Sequence, residues 1–222
     1  MKKPASSRPS KIKKANSKAA GTVRIIGGQL KRRTVAFIDT DGLRPTPDRL
    51  RETLFNWLLT DIHDAQILDS CAGSGVLGFE ALSRGAAHCT FIEASRPQSQ
   101  LLAQNAQQLQ LNPDSYQIIY GNAEQVIYQK HFDAKPFDIV FIDPPYAMDL
   151  WHAILSALIT TQLLRPQTLI YLEADKDLST QLDALALSQQ SILNAQGLNG
   201  FECLKHTKVG QVVAGLYRLS SS

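Results

Sequence analysis

Residues 67–78 read Ile-Leu-Asp-Ser-Cys-Ala-Gly-Ser-Gly-Val-Leu-Gly and decide the fold. An apolar pair is followed by an acid and a run of small residues, and apolar residues at helical spacing then run to Ser83. This order is typical of the first strand, loop and helix of an α/β sheet, where small residues let a ligand approach the backbone and helix N–H groups face it. We therefore expect a nucleotide-like ligand at this loop.

Strand and helix patterns alternate after this loop, as they do in a parallel sheet. The predicted strands are residues 67–68, 89–92, 117–120, 137–142 and 168–172, and the predicted helices are residues 75–83, 98–109, 123–128 and 151–163. Two extended stretches around Gly210, residues 201–205 and 212–219, predict a closing antiparallel hairpin. The sequence thus predicts an α/β fold with a mostly parallel sheet, and Trp151 falls on the core-facing side of its helix.

The segment before this loop has a different pattern. β-branched stretches at residues 22–26 and 34–38 flank Gly27-Gly28 and a basic turn, Lys31-Arg32-Arg33, which predicts a basic β-hairpin. A loop containing Arg44-Pro45-Thr46 follows, and residues 48–59 then have helical spacing. The hairpin is the part of the chain that we expect to meet a nucleic acid.

Composition fits one globular domain with a small appendage. The 222 residues are 44% hydrophobic and have a formal net charge of +3. Residues 1–20 contain Lys and Arg but no acid, so we expect a disordered tail that attracts phosphates non-specifically or serves only solubility. The sequence has neither the run of about 18 apolar residues that a membrane span needs nor a signal peptide, which predicts a soluble, cytoplasmic protein.

The cysteines and histidines indicate no metal or disulfide chemistry. The 3 cysteines are widely spaced without a CxxC pair, and the 5 histidines show no metal-ligand spacing. We therefore predict no bound metal, and the cysteine usage fits a reducing compartment.

The glycine loop alone leaves two cofactor classes open. Gly73, Gly75 and Gly78 spell GxGxxG, and Glu93 ends the second predicted strand where a carboxylate grips ribose hydroxyls, so an NAD-dependent oxidoreductase competes. Asp69 favours S-adenosylmethionine, because it would lie beside the positive methionine amino group and would repel a pyrophosphate. The plainer alternative is that Asp69 only caps a turn or helix.

A second chemical feature, Asp143-Pro144-Pro145-Tyr146, follows the apolar strand 137–142 directly. An exocyclic base amine is a poor nucleophile because its lone pair is delocalised into the ring, so an enzyme must orient it. The Asp143 carboxylate and the Pro144 carbonyl can each accept one amine hydrogen, and Tyr146 can stack on the base. The alternative is a simple strand end, in which Asp143 caps a turn and Tyr146 packs on the core.

Five motifs occur in one order along the chain. They are Val23-Arg24-Ile25-Ile26-Gly27-Gly28, Gly42-Leu43-Arg44-Pro45-Thr46, Arg51-Glu52-Thr53-Leu54-Phe55-Asn56-Trp57, Ala72-Gly73-Ser74-Gly75 and Asp143-Pro144-Pro145-Tyr146. In this order they resemble the RsmD family of bacterial small-subunit ribosomal RNA guanine-N2 methyltransferases, over residues 22–219. The resemblance implies a Rossmann-like S-adenosylmethionine-dependent methyltransferase fold, with a mostly parallel seven-stranded sheet, an antiparallel C-terminal strand and an N-terminal β-hairpin extension.

We accordingly divide the chain into a tail at residues 1–20, an RNA-binding hairpin and loop at 21–46, and a methyltransferase domain at 47–222. By motif match, Asp143, Pro144 and Tyr146 would hold the target base. The residues expected to bind the cofactor are Asp69, Ala72, Gly73, Ser74, Gly75, Glu93, Asn122 and Ala123. Those expected to bind RNA are Arg24, Lys31, Arg32, Arg33, Arg44, Thr46 and Arg49. Asn122 can equally well cap the following helix.

Two positions depart from the pattern that the resemblance implies. Cys71 stands where an aromatic residue is expected beside the loop, so packing around the cofactor differs. Asn122 stands where an acid is expected, which weakens the predicted adenine contact.

The resemblance implies methylation of one guanine of 16S ribosomal RNA at N2 in an assembling small subunit, by a monomer that releases S-adenosylhomocysteine. Adenine-N6 methylation of DNA and methylation of a glutamine side chain use similar tetrapeptides and remain alternatives, although the basic hairpin favours nucleic acid over protein. A non-catalytic RNA-binding assembly factor is the alternative from another class, and the intact Asp143-Pro144-Pro145-Tyr146 argues against it.

Overall fold

The structure, a computed structural model, describes residues 21–38, 46–129, 136–145 and 150–221. Within these ranges the chain forms a seven-stranded sheet, a two-stranded hairpin and seven α-helices. The predicted tail at residues 1–20, Arg44 and Tyr146 lie outside the described residues.

Most described elements overlap the predicted ones. The strands are β1 (Gly21–Arg24), β2 (Thr34–Phe37), β3 (Gln66–Asp69), β4 (His88–Glu93), β5 (Tyr116–Tyr120), β6 (Ile139–Ile142), β7 (Leu169–Ala174), β8 (Leu198–Val209) and β9 (Val212–Ser221). The helices are α1 (Asp48–Trp57), α2 (Val76–Ser83), α3 (Arg96–Gln108), α4 (Ala123–Tyr128), α5 (Trp151–Thr160), α6 (Ser179–Ser188) and α7 (Gln190–Ala195). The sequence analysis did not predict α6 and α7.

The strand order of the large sheet is β5-β4-β3-β6-β7-β9-β8. Strands β3 to β7 pair in parallel, whereas β9 lies antiparallel between β7 and β8. The predicted Rossmann-like, mostly parallel seven-stranded sheet is therefore confirmed, including its antiparallel C-terminal strand. The strand order reverses between β3 and β6, and ligands of open α/β sheets bind at such a switch point, beyond the carboxyl ends of the strands.

Apolar side chains cover both faces of the large sheet. One layer packs α1, α2, α3 and the hairpin against the strands, and the other packs α4 to α7. All four residues of β6 are buried, as expected for a central strand covered on both faces. Trp151 on α5 is 4% exposed, which confirms its predicted place in the core. Among the described helices, none is long and apolar enough to cross a membrane.

The hairpin is fixed to α2 and α3 by specific hydrogen bonds. The Ser83 hydroxyl at the end of α2 donates to the Gly27 carbonyl over 2.6 Å. On α3, the Asn105 side chain exchanges two hydrogen bonds with the backbone of Ala36. Gly28 has a φ of +71°, and a Cβ there would lie 1.9 Å from the Ser83 carbonyl oxygen, so the contact requires glycine.

Candidate active site

Acidic side chains lie at the carboxyl ends of four neighbouring strands. Asp69 ends β3, Glu93 ends β4, Asp143 directly follows β6, and Glu173 is the penultimate residue of β7. Because these strands are parallel neighbours in the sheet, their acids converge at the switch point. We call these four residues the carboxyl-edge cluster.

The glycine loop brings its backbone close to this cluster. Gly73 and Gly75 have φ values of +50° and +74°, in the left-handed region that favours glycine. The Gly75 N–H donates to the Ala72 carbonyl over 2.6 Å and closes a tight turn before α2. Gly78 lets α2 approach β4, since a Cβ there would lie 2.2 Å from the Phe91 ring. The loop therefore has the close backbone approach that the sequence predicts.

Asp69 lies under this loop with 3% of its surface exposed. Its carboxylate accepts a hydrogen bond of 3.1 Å from the Gly78 N–H in the first turn of α2, so it also has the capping role considered as an alternative. Burial raises the pKa of Asp69 to about 7, the Gly78 bond opposes that rise, and the charges of Asp143 and Glu93 add to it. A cationic ligand at this carboxylate would reverse the shift.

Glu93 faces the loop from the end of β4. One carboxylate oxygen accepts from the Gly73 N–H over 2.8 Å, and the other accepts from the Ser95 N–H over 2.6 Å. Burial raises the pKa of Glu93, and both hydrogen bonds oppose that rise. In the same loop, Ser74 is buried and its hydroxyl oxygen accepts from the Val76 N–H over 3.3 Å.

Two further positions predicted to bind the cofactor lie after β5. Asn122 precedes α4 with an exposed side chain that does not bond the N–H groups of the first turn, which counts against the side-chain cap considered for it. Ala123 is buried at the start of that helix. The unexpected Cys71 is half-buried and packs against the core layer of α4 to α7, where burial raises the pKa of its thiol.

Asp143 begins the tetrapeptide motif at the end of β6. It is half-buried, and its Oδ2 accepts a hydrogen bond of 3.1 Å from the Thr46 hydroxyl. Burial raises the pKa of Asp143 to about 6, and the Thr46 bond opposes that rise. In its charged form this carboxylate can accept a hydrogen from an amine.

The prolines of the motif differ in exposure. Pro144 is buried and Pro145 is exposed. Each fixes φ near −65° and lacks an N–H, so the backbone direction at the end of β6 is restricted. Tyr146 lies outside the described residues, and its stacking role stays a prediction.

Sequence analysis missed Glu173, which is 2% exposed on β7. Its Oε1 accepts a hydrogen bond of 2.8 Å from the Tyr171 hydroxyl. Burial and the Asp143 charge raise the pKa of Glu173 well above its usual range. One signal was available, because an acid in the apolar strand Leu-Ile-Tyr-Leu-Glu-Ala is unusual for a central strand.

Thr46, predicted to bind RNA, is 5% exposed and directs its hydroxyl at Asp143. Its carbonyl accepts from Arg51 Nε over 3.1 Å. Arg51 is fully buried, and its other nitrogens contact the Arg24 carbonyl at 2.9 Å and the Asp48 carboxylate at 2.5 Å. The position of Thr46 is therefore coupled to the hairpin through a single guanidinium.

Two of the other positions predicted to bind RNA lie near Thr46. Arg24, at the end of β1, is exposed and pairs with Asp48 at 2.8 Å. Arg49 is exposed in the first turn of α1. Arg51 bonds both the Arg24 carbonyl and the Thr46 carbonyl, and Thr46 in turn contacts Asp143.

The basic turn lies elsewhere. Lys31, Arg32 and Arg33 are exposed, and Arg33 donates to the carbonyl of Gln108, the last residue of α3, over 2.5 Å. Helix α3 begins three residues after Glu93 and has 13 residues. At 1.5 Å per residue, the turn lies roughly 20 Å from the carboxyl-edge cluster along this helix. The structure thus does not bring these three positions to the site.

Metal ligation has no evident place in this arrangement. In the part of the chain that the structure describes, no group of three or more His, Cys, Asp or Glu side chains is arranged to hold a metal ion.

Comparison with known proteins identifies the family. The family model described as conserved hypothetical protein 95, which is that of the RsmD proteins, matches residues 23–216. The chain belongs to the RsmD family. The resemblance seen in the sequence motifs is thereby confirmed.

Two relatives and one solved structure illustrate this membership. The chain is 42% identical over 168 residues to the ribosomal RNA small subunit methyltransferase D of Haemophilus influenzae, which covers 75% of this chain and 85% of the relative. It is 44% identical over 164 residues to the protein of the same name from Escherichia coli K12, covering 74% and 80%. The solved structure of Escherichia coli yhhF, described as a candidate methyltransferase, has a TM-score of 0.73 and 35% identity, covering 91% of this chain and 100% of that one.

Proposed function

We propose that this RsmD family member transfers a methyl group from S-adenosylmethionine to the exocyclic N2 of one guanine in 16S ribosomal RNA. The observation that carries the proposal is the position of Asp143-Pro144-Pro145 at the switch point of a methyltransferase sheet, beside the glycine loop. Relatives at 42% and 44% identity named for small-subunit ribosomal RNA support the substrate class. The family resemblance supplies guanine N2 and the assembling subunit.

The residues at the carboxyl edge fit S-adenosylmethionine better than a dinucleotide. Asp69 is buried and Asp143 is half-buried, the two acids lie near each other, and negative charge on them favours a ligand with a sulfonium and an ammonium group. The same acids would repel a pyrophosphate. Glu93 has the position of a carboxylate that binds ribose hydroxyls, and each of its oxygens can accept a further hydrogen bond beside the one from the Gly73 or Ser95 N–H.

The bound cofactor would supply an electrophilic methyl group on a positively charged sulfur. Asp143 and the Pro144 carbonyl would each accept one hydrogen of the guanine amine, which directs the nitrogen lone pair at that methyl group. As the N–C bond forms and the C–S bond breaks, the nitrogen gains positive charge, and the adjacent Asp143 carboxylate stabilises it. The surplus amine proton passes to Asp143 and then to solvent.

The exposed basic side chains support a nucleic acid as the substrate. Arg24 and Arg49 are exposed, and the basic turn lies roughly 20 Å from the carboxyl-edge cluster along α3. A glutamine side chain in a protein would not need this spread of cations. Phosphate contacts do not distinguish RNA from DNA, so that choice depends on the named relatives.

The test compares three acceptors with a labelled methyl donor: under-methylated small ribosomal subunits, duplex DNA and a release-factor-like protein. The proposal predicts label in the ribosomal RNA alone. Label in DNA or protein instead would support adenine-N6 or glutamine methylation. Thermal stabilisation by S-adenosylhomocysteine but not by NAD checks the cofactor separately, and the reverse result would support an oxidoreductase.

A further inference from the structure

The Thr46 hydroxyl reaches Asp143 from a part of the chain that lies 97 residues away in sequence. It donates to Oδ2 over 3.1 Å, and Thr46 is 5% exposed, so bulk water has little access to this bond. Without such a contact, an aspartate carboxyl group rotates broadly about its last side-chain bond. The hydrogen bond therefore fixes the plane of the Asp143 carboxyl group.

The backbone and side chain of Thr46 have little freedom of their own. Thr46 directly precedes Pro47, and a residue before proline is restricted to extended conformations. Its carbonyl accepts from Arg51 Nε over 3.1 Å, and Arg51 is fully buried. Because threonine is branched at Cβ, its χ1 angle is restricted as well. The hydroxyl is thus preorganised toward Asp143.

We propose that Thr46 is a positioning residue that orients the Asp143 carboxylate for the target amine. The Thr46 hydroxyl occupies Oδ2 and leaves Oδ1 to accept one hydrogen of that amine. A carboxylate held in one orientation acts together with the Pro144 carbonyl, which accepts the second hydrogen, and such preorganisation lowers the activation barrier. This inference rests on the proposed role of Asp143. It gives Thr46 a different task from the RNA contact expected from the sequence.

The alternative is a purely structural role, in which the same bond only ties the segment before α1 to the end of β6. Such a tether would contribute to the free energy of unfolding and leave kcat of the folded enzyme unchanged. Arg51 already ties this segment to the hairpin, since it bonds the carbonyls of both Thr46 and Arg24. A further bond to Asp143 is not required to hold the segment, which favours the positioning role.

Replacement of Thr46 by valine and by serine separates the hydroxyl from the shape of the side chain. Valine keeps the shape and lacks the hydroxyl, whereas serine keeps the hydroxyl and lacks the methyl group. Thr46→Val should lower kcat about 5- to 30-fold, and Thr46→Ser should keep kcat within about threefold of the parent. The KM for RNA and the Kd of S-adenosylhomocysteine should change less than about threefold in both variants, because the hydroxyl acts through Asp143 and contacts neither ligand.

Thr60→Val is the matched control. The Thr60 hydroxyl also donates to an aspartate, Asp61, over 2.8 Å, but on the exposed surface after α1, so its loss should leave kcat at the parental value. A double-mutant cycle with Asp143→Ala tests the path. Once Asp143 is replaced, Thr46→Val should lower the single-turnover rate less than about twofold further.

Three outcomes of these measurements would overturn the proposal. Parental kcat in Thr46→Val would show that the bond is only structural, and a Thr46→Ser variant as slow as Thr46→Val would show that the hydroxyl is not the group that acts. A KM for RNA raised more than about tenfold at parental kcat would assign Thr46 to RNA binding instead. If Thr46→Val fails to fold, Thr46→Ala takes its place, because alanine also lacks the hydroxyl and fits wherever threonine fits.

Titration of the Asp143 carboxyl group needs no turnover and separates this inference from the proposed function. Loss of a hydrogen bond to the charged form raises the pKa of a carboxyl group. The ¹³C resonance of the Asp143 carboxyl carbon, assigned by its loss in Asp143→Asn, should therefore titrate at higher pH in Thr46→Val than in the parent, and at the parental pH in Thr46→Ser. The other ionisable groups near Asp143, which are Asp69, Cys71 and Glu173, are the same in all these proteins.

Equal titration of Asp143 in the parent and in Thr46→Val would overturn the proposal even if the enzyme is active. Failure of the parent protein to methylate any RNA would contradict the proposed function and leave this titration unaffected.

Discussion

Two groups of acidic side chains in this chain have different partners. One is Glu80 on α2, and the other is the carboxyl-edge cluster at the ends of the strands. Glu80 on α2 is fully buried, accepts from the Ile26 N–H at 2.7 Å and from Arg84 Nε at 2.8 Å, and lies 3.6 Å from Arg51 Nη1. Two guanidinium groups therefore balance its charge, and its bond from the Ile26 N–H ties the segment after β1 to α2. This acid contributes to stability.

The acids of the carboxyl-edge cluster are held by hydroxyl and N–H groups instead. Asp69 accepts from the Gly78 N–H, and Asp143 accepts from Thr46. Burial raises the pKa of both carboxyl groups, to about 7 and about 6, because these partners stabilise the negative charge only in part. The comparison indicates that a buried acid without an ion-pair partner in the protein is a candidate site for a positively charged ligand. A buried acid that is paired with arginine instead stabilises the contact between elements.

The largest effect is expected on stability, from replacement of Glu80. Glu80→Ala leaves Arg84 Nε and the Ile26 N–H without their acceptor and removes the buried counter-charge beside Arg51. We therefore expect a loss of about 3–5 kcal/mol in the free energy of unfolding. Urea denaturation measures it, with Glu52→Ala at an exposed position of α1 as control. A loss below about 1 kcal/mol would show that Glu80 does not stabilise the contact between the hairpin and α2.

Replacement of Asp143 in the carboxyl-edge cluster is expected to lower the reaction rate and not the stability. Asp143→Ala removes the acceptor of the target amine, and we expect kcat to fall about 100- to 1000-fold, as for other charge-stabilising groups in active sites. Single-turnover methyl transfer measures the rate, and isothermal titration with S-adenosylhomocysteine should give a Kd within about threefold of the parent. Unchanged turnover would remove Asp143 from the mechanism.

The contribution of Asp69 to folding stability is expected to depend on pH. Because its folded pKa of about 7 lies above the unfolded value, the folded protein binds a proton more tightly, and stability falls as pH rises from about 4 to 7. Asp69→Asn keeps an oxygen for the Gly78 N–H and removes the charge. We expect it to stabilise the ligand-free protein by about 1–3 kcal/mol at pH 8 and by almost nothing at pH 4.

Thermal and urea unfolding at the two pH values measure this difference, and titration with S-adenosylmethionine measures the cost to binding. The expected result is a more stable protein that binds the cofactor weakly. An Asp69→Asn variant that is less stable than the parent at pH 8 would show that the Asp69 carboxylate, like that of Glu80, stabilises the fold.

The smallest expected effect concerns the distant basic turn. Replacement of Lys31, Arg32 and Arg33 together by alanine should weaken RNA affinity about 3- to 10-fold and reduce the dependence of log K on log salt, because each lost phosphate contact lowers that slope by about 0.7–0.9. Filter binding over a salt series measures both, with Arg218→Ala on β9 as control. An unaltered slope would exclude the turn as a phosphate site and leave Arg24 and Arg49 as the cations near the substrate.

Local pattern was enough to predict the sheet, the glycine loop and the tetrapeptide motif. Gly73 and Gly75 were predictable because only glycine suits their backbone, and Asp143 because two prolines follow it at the end of an apolar strand. Helices α6 and α7 were missed, since Ser, Gln and Ala interrupt the apolar repeat of residues 179–195.

The rest depended on contacts between distant parts of the chain. Thr46 meets Asp143 across 97 residues, and Ile26 meets Glu80 across 54. No periodicity records such pairs. For the same reason the sequence identified Lys31, Arg32 and Arg33 as basic but did not place them at the far end of α3.

The most direct test of the proposed reaction is mass spectrometry of nucleosides from under-methylated small ribosomal subunits, after incubation with S-adenosylmethionine and either the parent protein or Asp143→Ala. The account predicts N2-methylguanosine at one position with the parent protein and at most a trace with the variant. A different methylated nucleoside, none at all from a protein shown to bind the cofactor, or equal yields from both proteins would contradict it.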